Sequence, residues 1–390
     1  MALALPDGGR LVSLERDERA AGVARRHLDM ANMGGRVDLL LGDAMDSLEA
    51  LPADTPPFEL IFLDADKKRS GQYVETLLSR GLLAPHGLLL IDNVLWKGEV
   101  LARLDPSCLT ADSQEAKTSM DVATRRSMGL RDALHDFSME LAADARVHQL
   151  LLPLRDGLTL AQHAHAPLGA PLDAAPLTPS TTTTPLASYL RLVGSEEPTP
   201  LRPLREAGDA PIGVQHGRLL HMLVRVSRAS RVLEVGGGAY VALWMALALP
   251  DGGRLVSLER DERAADVARR HLDAAGMGSR VDLMLGDSTE LPAARADDEP
   301  PFELIFWRHD GSSDDAPSTA SSLQRAASML APHGLLVLLH ASPPSESAVE
   351  ALAGAAHAAD SRWRVVTLPT PDGEGGVVSL IGLSPEDAGV

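Results

Sequence analysis

The chain has 390 residues, room for two or three domains, and 45% of them are hydrophobic, enough to build real cores. A net charge of −18, spread along the chain, argues against a nucleic-acid backbone as partner. The single cysteine, Cys108, excludes an intramolecular disulfide and fits a reducing, cytoplasmic compartment; no apolar run reaches the ~18 residues of a membrane span.

The chain opens on MALALPDGGR, which has no basic stretch before its apolar residues and so is not a signal peptide. Met1–Leu5 reads as the end of a helix, and Asp7-Gly8-Gly9 as a turn. Leu11–Leu14 reads as a strand ending at Glu15, and Asp17 as the cap of a helix running to about Met30. Val37–Leu41 is a second strand, followed by Gly42-Asp43. Phe58–Lys67, FELIFLDADK, carries an apolar run into Asp64, Asp66 and Lys67. A helix is expected near Gln72–Arg80, and the run Leu88–Ile91 ends in Asp92-Asn93. Short apolar runs of this kind suit buried strands of a parallel sheet, where ligands sit beyond the carboxyl ends. Two neighbouring strand ends would then supply two carboxylates and a carboxamide, hard oxygen ligands suited to Mg²⁺ or Ca²⁺. For either run alone, the plainer reading is an acid that starts a loop. Residues 94–118 read as a long loop, Val122–Ala143 as a helix, and Val147–Leu152 with Leu158–Gln162 as a closing antiparallel pair.

Residues 166–185, rich in Pro, Ala and Thr, read as a linker. Beyond it, Tyr189–Arg191, Pro203–Glu206 and Val214–Val226 have helical patterns, and Val232–Val235 is a strand leading to Gly236-Gly237-Gly238. Residues 245–273 then repeat residues 1–29 with one difference, Gly22 against Asp266. The offset of 244 holds without a gap through Phe58 and Phe302. Period and length mean two copies of one domain rather than a solenoid. The expected division is copy one over 1–165, the linker, and copy two over 186–390. Nothing in copy one corresponds to residues 187–244. Copy one therefore lacks the first strand and glycine loop, and apolar edges should be exposed on both sides of the gap. Met1 falls inside a helical pattern, which suggests a start internal to a longer frame; a strand lent by copy two and a degenerating duplicate are the competing accounts.

The stretches LVSLERD, LLGDA, FELIFLDADK, GLLLIDNVLWKGEV and LLPLRDGLTLA, with VQHGRLLHMLVRVSRASRVLEVG in copy two, resemble the class I S-adenosylmethionine-dependent O-methyltransferases of the caffeoyl-CoA and catechol type. The resemblance implies an α/β fold: a Rossmann-like, seven-stranded sheet with an antiparallel last strand and helices on both faces, present here as two tandem copies. It implies that Glu15 and Glu259 bind the donor's ribose and that Asp43 and Asp287 lie near its adenine. Glu234, Gly236 and Gly238 would belong to the loop cradling the donor's methionine end. Asp64, Asp92 and Asn93 match the metal ligands, and Lys67 matches a lysine that assists deprotonation of the acceptor hydroxyl. The implied reaction is methyl transfer to a catechol-like or caffeoyl-type phenol, needing a divalent cation. A phenol has a pKa near 10, and a cation holding both vicinal oxygens lowers it. Lys67 can take the proton only if its own pKa is depressed; its plainer role is an ion pair with Asp64 or Asp66.

Copy two departs from the family at the metal positions. Arg308 stands for Asp64, Gly311 for Lys67, and Leu339 and His340 for Asp92 and Asn93. His309 and His340 do not amount to a zinc site in a chain with 13 histidines. The glycine run Gly236–Gly238 does not fit the dinucleotide pattern G-x-G-x-x-G, whose last position falls on Val241. The expectation is therefore a metal set in copy one, a donor loop in copy two, and weak turnover in the chain as written. Expected partners are a small phenolic acceptor and a second copy, either as a homodimer or as a pseudo-dimer within the chain, with no nucleic acid and no membrane. A catalytically inactive scaffold is the main alternative, and a nicotinamide-dependent dehydrogenase a distant third.

Overall fold

The computed structural model describes residues 1–105, 107, 122–164, 185–194, 197–286, 300–309, 325, 326, 328–340, 354, 363–369 and 377–383. Copy one begins with a 3₁₀ turn, Ala2–Ala4, in place of the expected helix end. Strand β1 (Leu11–Glu15) leads into α1 (Glu18–Met30), whose N-cap Asp17 accepts from the Ala20 N–H at 2.8 Å. Then follow β2 (Val37–Leu41), α2 (Ala44–Ala50), β3 (Phe58–Leu63), α3 (Ser70–Ser79) and β4 (Leu83–Asp92). Helix α4 (Val122–Ala143) precedes the hairpin of β5 (Val147–Leu152) and β6 (Leu158–His163). The start of the expected 94–118 loop is wound into a 3₁₀ stretch, Trp96–Arg103.

The linker lies outside the described residues except for Pro185, which opens α5 (Pro185–Val193). Next come α6 (Arg202–Glu206), α7 (Val214–Val226), β7 (Arg231–Val235), α8 (Gly238–Ala246), β8 (Arg254–Glu259), α9 (Glu262–Ala274) and β9 (Val281–Leu285). Strands β10 (Phe302–His309), β11 (Leu330–His340), β12 (Trp363–Pro369) and β13 (Val377–Leu383) complete copy two.

Copy two closes one seven-stranded sheet in the order β12-β13-β11-β10-β7-β8-β9. Strands β7 to β11 run parallel, while β13 is antiparallel to both β11 and β12. Strand β7 is the middle of this sheet, bonded to β8 on one side and β10 on the other. Its neighbour α8 is apolar on every face and buried, as a helix covered by both a sheet and other helices must be.

Copy one has no counterpart of β7, and its sheet is divided. Strands β1 and β2 pair as a two-stranded ribbon, and β3-β4-β6-β5 form a separate four-stranded sheet. Among the described residues nothing pairs with the facing edges of β1 and β3. Leu60 and Phe62 on β3 are 45% and 46% exposed; their counterparts Leu304 and Phe306 share an apolar cluster with Tyr240, Val241 and Leu243 of α8, a helix that copy one lacks along with the strand.

The two copies are built on shared cores. Leu150, Leu152 and Leu160 of copy one belong to the same apolar cluster as Leu219, Leu220 and Trp244 of copy two. Helix α5, counted with copy two in the sequence, instead places Tyr189, Leu190 and Val193 in the core of copy one. Polar groups tie the two together: the Arg225 guanidinium donates to the His163 carbonyl at 2.7 Å and the Pro85 carbonyl at 3.3 Å. Burial lowers the Arg225 pKa, so these charge-assisted bonds offset a real desolvation cost.

Candidate active site

In copy one, β3 and β4 run parallel with Leu63 opposite Ile91, so Asp64 and Asp92 leave neighbouring strand ends side by side. Lys67 turns back one 3₁₀ turn and its Nζ lies 2.5 Å from Asp64 Oδ1. The Lys67 side chain is largely covered, whereas that of Asp64 is about half exposed, at 51%. Asp66 caps the same turn by accepting from the Lys68 N–H at 3.1 Å, so it serves the loop and not Lys67. Asp92 Oδ1 accepts from the Asn93 N–H at 2.7 Å.

Asn93, Trp96 and Lys97 all have positive φ, at 61°, 46° and 57°. Three side-chain-bearing residues in the left-handed region within five positions store strain of about 1–2 kcal/mol each. The hairpin turn holds this geometry: Val94 N–H donates to Gly157 O at 3.2 Å and Leu95 N–H to Asp156 O at 2.7 Å. Gly157 sits at φ +85°, and a Cβ there would stand 2.6 Å from Leu95 Cγ. The Arg155-Asp156-Gly157 turn therefore braces the Asp92-Asn93 loop, a role that its sequence, an ordinary hairpin signal, did not disclose.

Glu15 and Asp43, on the ends of β1 and beyond β2, line the same cavity of about 1310 Å³ as Asp64, Asp66 and Lys67. Asp92 and Asn93 lie outside the lining of that cavity. Glu15 Oε1 accepts from the Asp17 N–H at 2.8 Å. Asp43 is more heavily engaged: it caps α2 through the Met45 N–H at 2.8 Å and pairs with Arg69 Nη1 at 2.8 and 3.0 Å. The Met45 bond, with Arg69 beside it, holds its carboxyl below the usual aspartate range. Arg69 also stacks on Tyr73, 5.6 Å from the ring centre, and neither residue was singled out in the sequence.

In copy two, a smaller cavity of about 390 Å³ is lined by Gly236, Gly237, Gly238, Glu259, Trp307 and Arg308. Gly236 and Gly238 adopt φ +77° and +65°, and a Cβ at Gly238 would lie 3.6 Å from Glu259 Oε2. The bare loop therefore passes directly over the acid that ends β8. Glu234 does not reach this cavity. It is fully buried beneath the loop, where Ser257 Oγ donates to it at 2.5 Å and the Gly237 N–H donates to its other oxygen. Burial raises its pKa to about 7. It braces the glycine loop and does not line the space a ligand would take. Arg308 and Leu339 face each other across β10 and β11 where copy one has Asp64 and Asp92. Asp287 lies outside the described residues.

Comparison with known proteins bears on this pair of sites. The O-methyltransferase family profile matches residues 1–164 and 202–316. The chain belongs to the O-methyltransferase family. It is similar to the catechol O-methyltransferase of Niastella koreensis, 39% identical over 107 residues, covering 26% of this chain and 48% of that protein. It is also similar to the mouse catechol O-methyltransferase domain-containing protein 1, 34% identical over 163 residues, covering 41% of this chain and 53% of the relative. The chain thus spans about half the length of the curated relatives it matches. Among solved structures it is similar to the O-methyltransferase TomG of Streptomyces achromogenes, with 26% identity and a TM-score of 0.41 over 49% of this chain and 92% of that one. No helix among the described residues is long and apolar enough to cross a membrane.

Proposed function

We propose that this O-methyltransferase-family chain transfers a methyl group from S-adenosylmethionine to a hydroxyl of a catechol-like or caffeoyl-type phenol, with the chemistry in copy one. The observation that carries the reading is the convergence of Glu15, Asp64 and Lys67 on one cavity, with Asp92 at the adjacent strand end. Among the described residues no group of three His, Cys, Asp or Glu side chains is gathered as a metal site. The residues at these two strand ends, Asp64, Asp92 and Asn93, offer only oxygen ligands, a donor chemistry that suits a hard divalent cation. Asp64, Asp92 and Asn93 would hold it, and when bound it supplies a positive charge that makes a phenolic oxygen more acidic.

The chain's own residues do the rest. Glu15, at the end of β1, accepts hydrogen bonds from a vicinal diol such as a ribose. Lys67, covered and ion-paired with Asp64, acts as a cation that favours the developing phenolate, and the acceptor's hydroxyl proton leaves to solvent water. As that O–H bond breaks, the oxygen forms a bond to the methyl carbon, and the S–CH₃ bond of the sulfonium breaks to leave a neutral thioether. Holding nucleophile and sulfonium in line accounts for several kcal/mol of such a barrier. We place the protein in the reducing cytoplasm on the strength of its single cysteine.

A second reading, a chain that binds the donor but turns over weakly or not at all, is favoured by the open edge of β3 and by the glycine loop's lying in copy two. The test is methyl transfer to catechol with Mg²⁺ and with a chelator. Asp64→Ala and Asp92→Ala should each abolish the cation-dependent rate; full activity in both would end the enzymatic reading as drawn. Heat on titration with S-adenosylhomocysteine but no transfer to any phenol tried would support the second.

A further inference from the structure

The two copies present equivalent strand ends with opposite charge. At the offset of 244, Arg308 in β10 stands where Asp64 follows β3, while Glu259 repeats Glu15. Glu15 and Asp64 line the cavity of copy one, and Glu259 and Arg308 line that of copy two. Exchanging an aspartate for an arginine moves this strand end by two charge units. In copy one a second acid, Asp92, stands at the neighbouring strand end; in copy two the neighbour is Leu339, opposite Arg308 in the register of β10 and β11. Among the described residues Arg308 has no ion-pair partner. The cavity of copy two, about 390 Å³, falls within the range of small-molecule sites, roughly 300–1,000 Å³. Its glycine loop runs between the two charged residues. A Cβ on Gly236 would lie 3.2 Å from the Arg308 carbonyl oxygen, and one on Gly238 3.6 Å from Glu259 Oε2. Asp209 and Arg260 also line this cavity.

We infer that copy two is a product site: its cavity takes S-adenosylhomocysteine, the neutral thioether left by methyl transfer, and discriminates against S-adenosylmethionine. The inference rests on the reading that this chain uses that donor. The two molecules differ by one methyl group and one positive charge, both on sulfur. In the reaction proposed for copy one, the sulfonium methyl points at an acceptor oxygen held beside Asp64. A ligand of the same outline in copy two, with its ribose diol on Glu259, brings its sulfur beside Arg308 instead. The guanidinium repels a sulfonium there, and a neutral thioether meets no such repulsion. Two like charges within ~8 Å of each other in a partly enclosed cavity weaken binding roughly tenfold or more. The amino-acid carboxylate is common to both ligands and cannot create the difference. The two copies thus do different work: copy one consumes the sulfonium, and copy two holds what is left of it.

The test is calorimetric titration of the full chain with each ligand in turn. S-Adenosylhomocysteine should bind two equivalents, one per copy. S-Adenosylmethionine should bind one, with any second equivalent at least ~10-fold weaker. The Glu15→Ala chain leaves the copy two site alone, and it should still bind one equivalent of S-adenosylhomocysteine. Adding Arg308→Gln to that chain should tighten S-adenosylmethionine at least ~10-fold and move S-adenosylhomocysteine less than ~3-fold. Adding Glu259→Ala instead should remove S-adenosylhomocysteine binding. Circular dichroism checks that the variants are folded, and the stoichiometries of the unsubstituted chain test the inference without them. Two equivalents of each ligand at equal affinity overturn it, as does no binding of either. So does an Arg308→Gln chain in which both ligands weaken equally, since the guanidinium would then hold the carboxylate that they share, or in which neither changes. A single equivalent of each ligand that Glu15→Ala abolishes also overturns it, and the reaction proposed for copy one survives that result. One equivalent of S-adenosylhomocysteine that Glu259→Ala abolishes, with no S-adenosylmethionine bound and no methyl transfer, supports the product site and sinks the reaction in copy one.

Discussion

Glu234 offers a sharp test of how the glycine loop of copy two is held. Its carboxyl is wholly buried between Ser257 and the Gly237 N–H, and burial lifts its pKa from 4.5 to about 7 against the pull of those two hydrogen bonds. A displacement of that size corresponds to ~3 kcal/mol between its protonated and ionised forms. The sign follows from linkage. Between pH 4.5 and 7 the folded state holds a proton that the unfolded state has released, so stability declines as pH rises. The stabilising share is complete below the unfolded value and is lost as pH passes through about 7. Glu234→Gln keeps one acceptor oxygen for the Gly237 N–H and turns its NH₂ toward Ser257 Oγ, which can accept instead of donate, and it cannot ionise. Urea unfolding of both proteins at several pH values from 5 to 8 should show the native chain losing ~3 kcal/mol relative to the glutamine variant. Parallel pH profiles would refute the reasoning, because the buried carboxyl would then not carry the titration.

Identical residues in unequal environments give a second test. Phe306→Ala should cost ~3–5 kcal/mol, whereas Phe62→Ala, about half exposed, should cost under ~1.5 kcal/mol, as read from denaturant midpoints. In titrations with S-adenosylmethionine, Glu15→Ala should remove most of the binding if the reaction proposed for copy one holds; loss with Glu259→Ala and none with Glu15→Ala would place the donor in copy two and favour the second reading. Gly217→Ala should lower the melting temperature by several degrees, since a Cβ there runs into the Trp244 indole where α7 crosses α8. Arg225→Ala should destabilise the chain by about 1.5–3 kcal/mol through the lost bonds to His163 and Pro85, and thermal unfolding in a calorimeter should register it.

Much of the site was legible because it obeys local rules. An apolar run ending in acids marks a strand end, and Asp64, Asp92 and Lys67 lie where that rule puts them. Asp17 caps its helix as its position before a helical pattern suggested, and Asp261, its repeat counterpart, does the same. Glu234 was less legible. It sits at the end of β7 like a ligand-binding acid, but its burial comes from α8 and β8 closing over it. Nor did the spacing of Arg69 disclose its pairing with Asp43, 26 residues away, because that contact exists only once β2 and α3 have been brought together.

The sequence by itself determined most of the strands among the described residues, the internal repeat, and which copy keeps the acidic strand ends; it did not disclose the helices Ala44–Ala50 and Gly238–Ala246 or the 3₁₀ stretch Trp96–Arg103. Periodicity and capping act over a few residues, and over 1–29 and 245–273 those residues differ at one position. Only the tertiary structure decided what each element is worth. LVSLE is a core strand in copy two and a partly exposed edge in copy one, because hydrogen-bond partners come from the neighbouring strand and not from the strand itself. Likewise α5, which follows the linker in sequence, packs into the first copy through Tyr189 and Leu190. An apolar helix face is buried by whichever surface lies within reach, and chain order does not specify that surface.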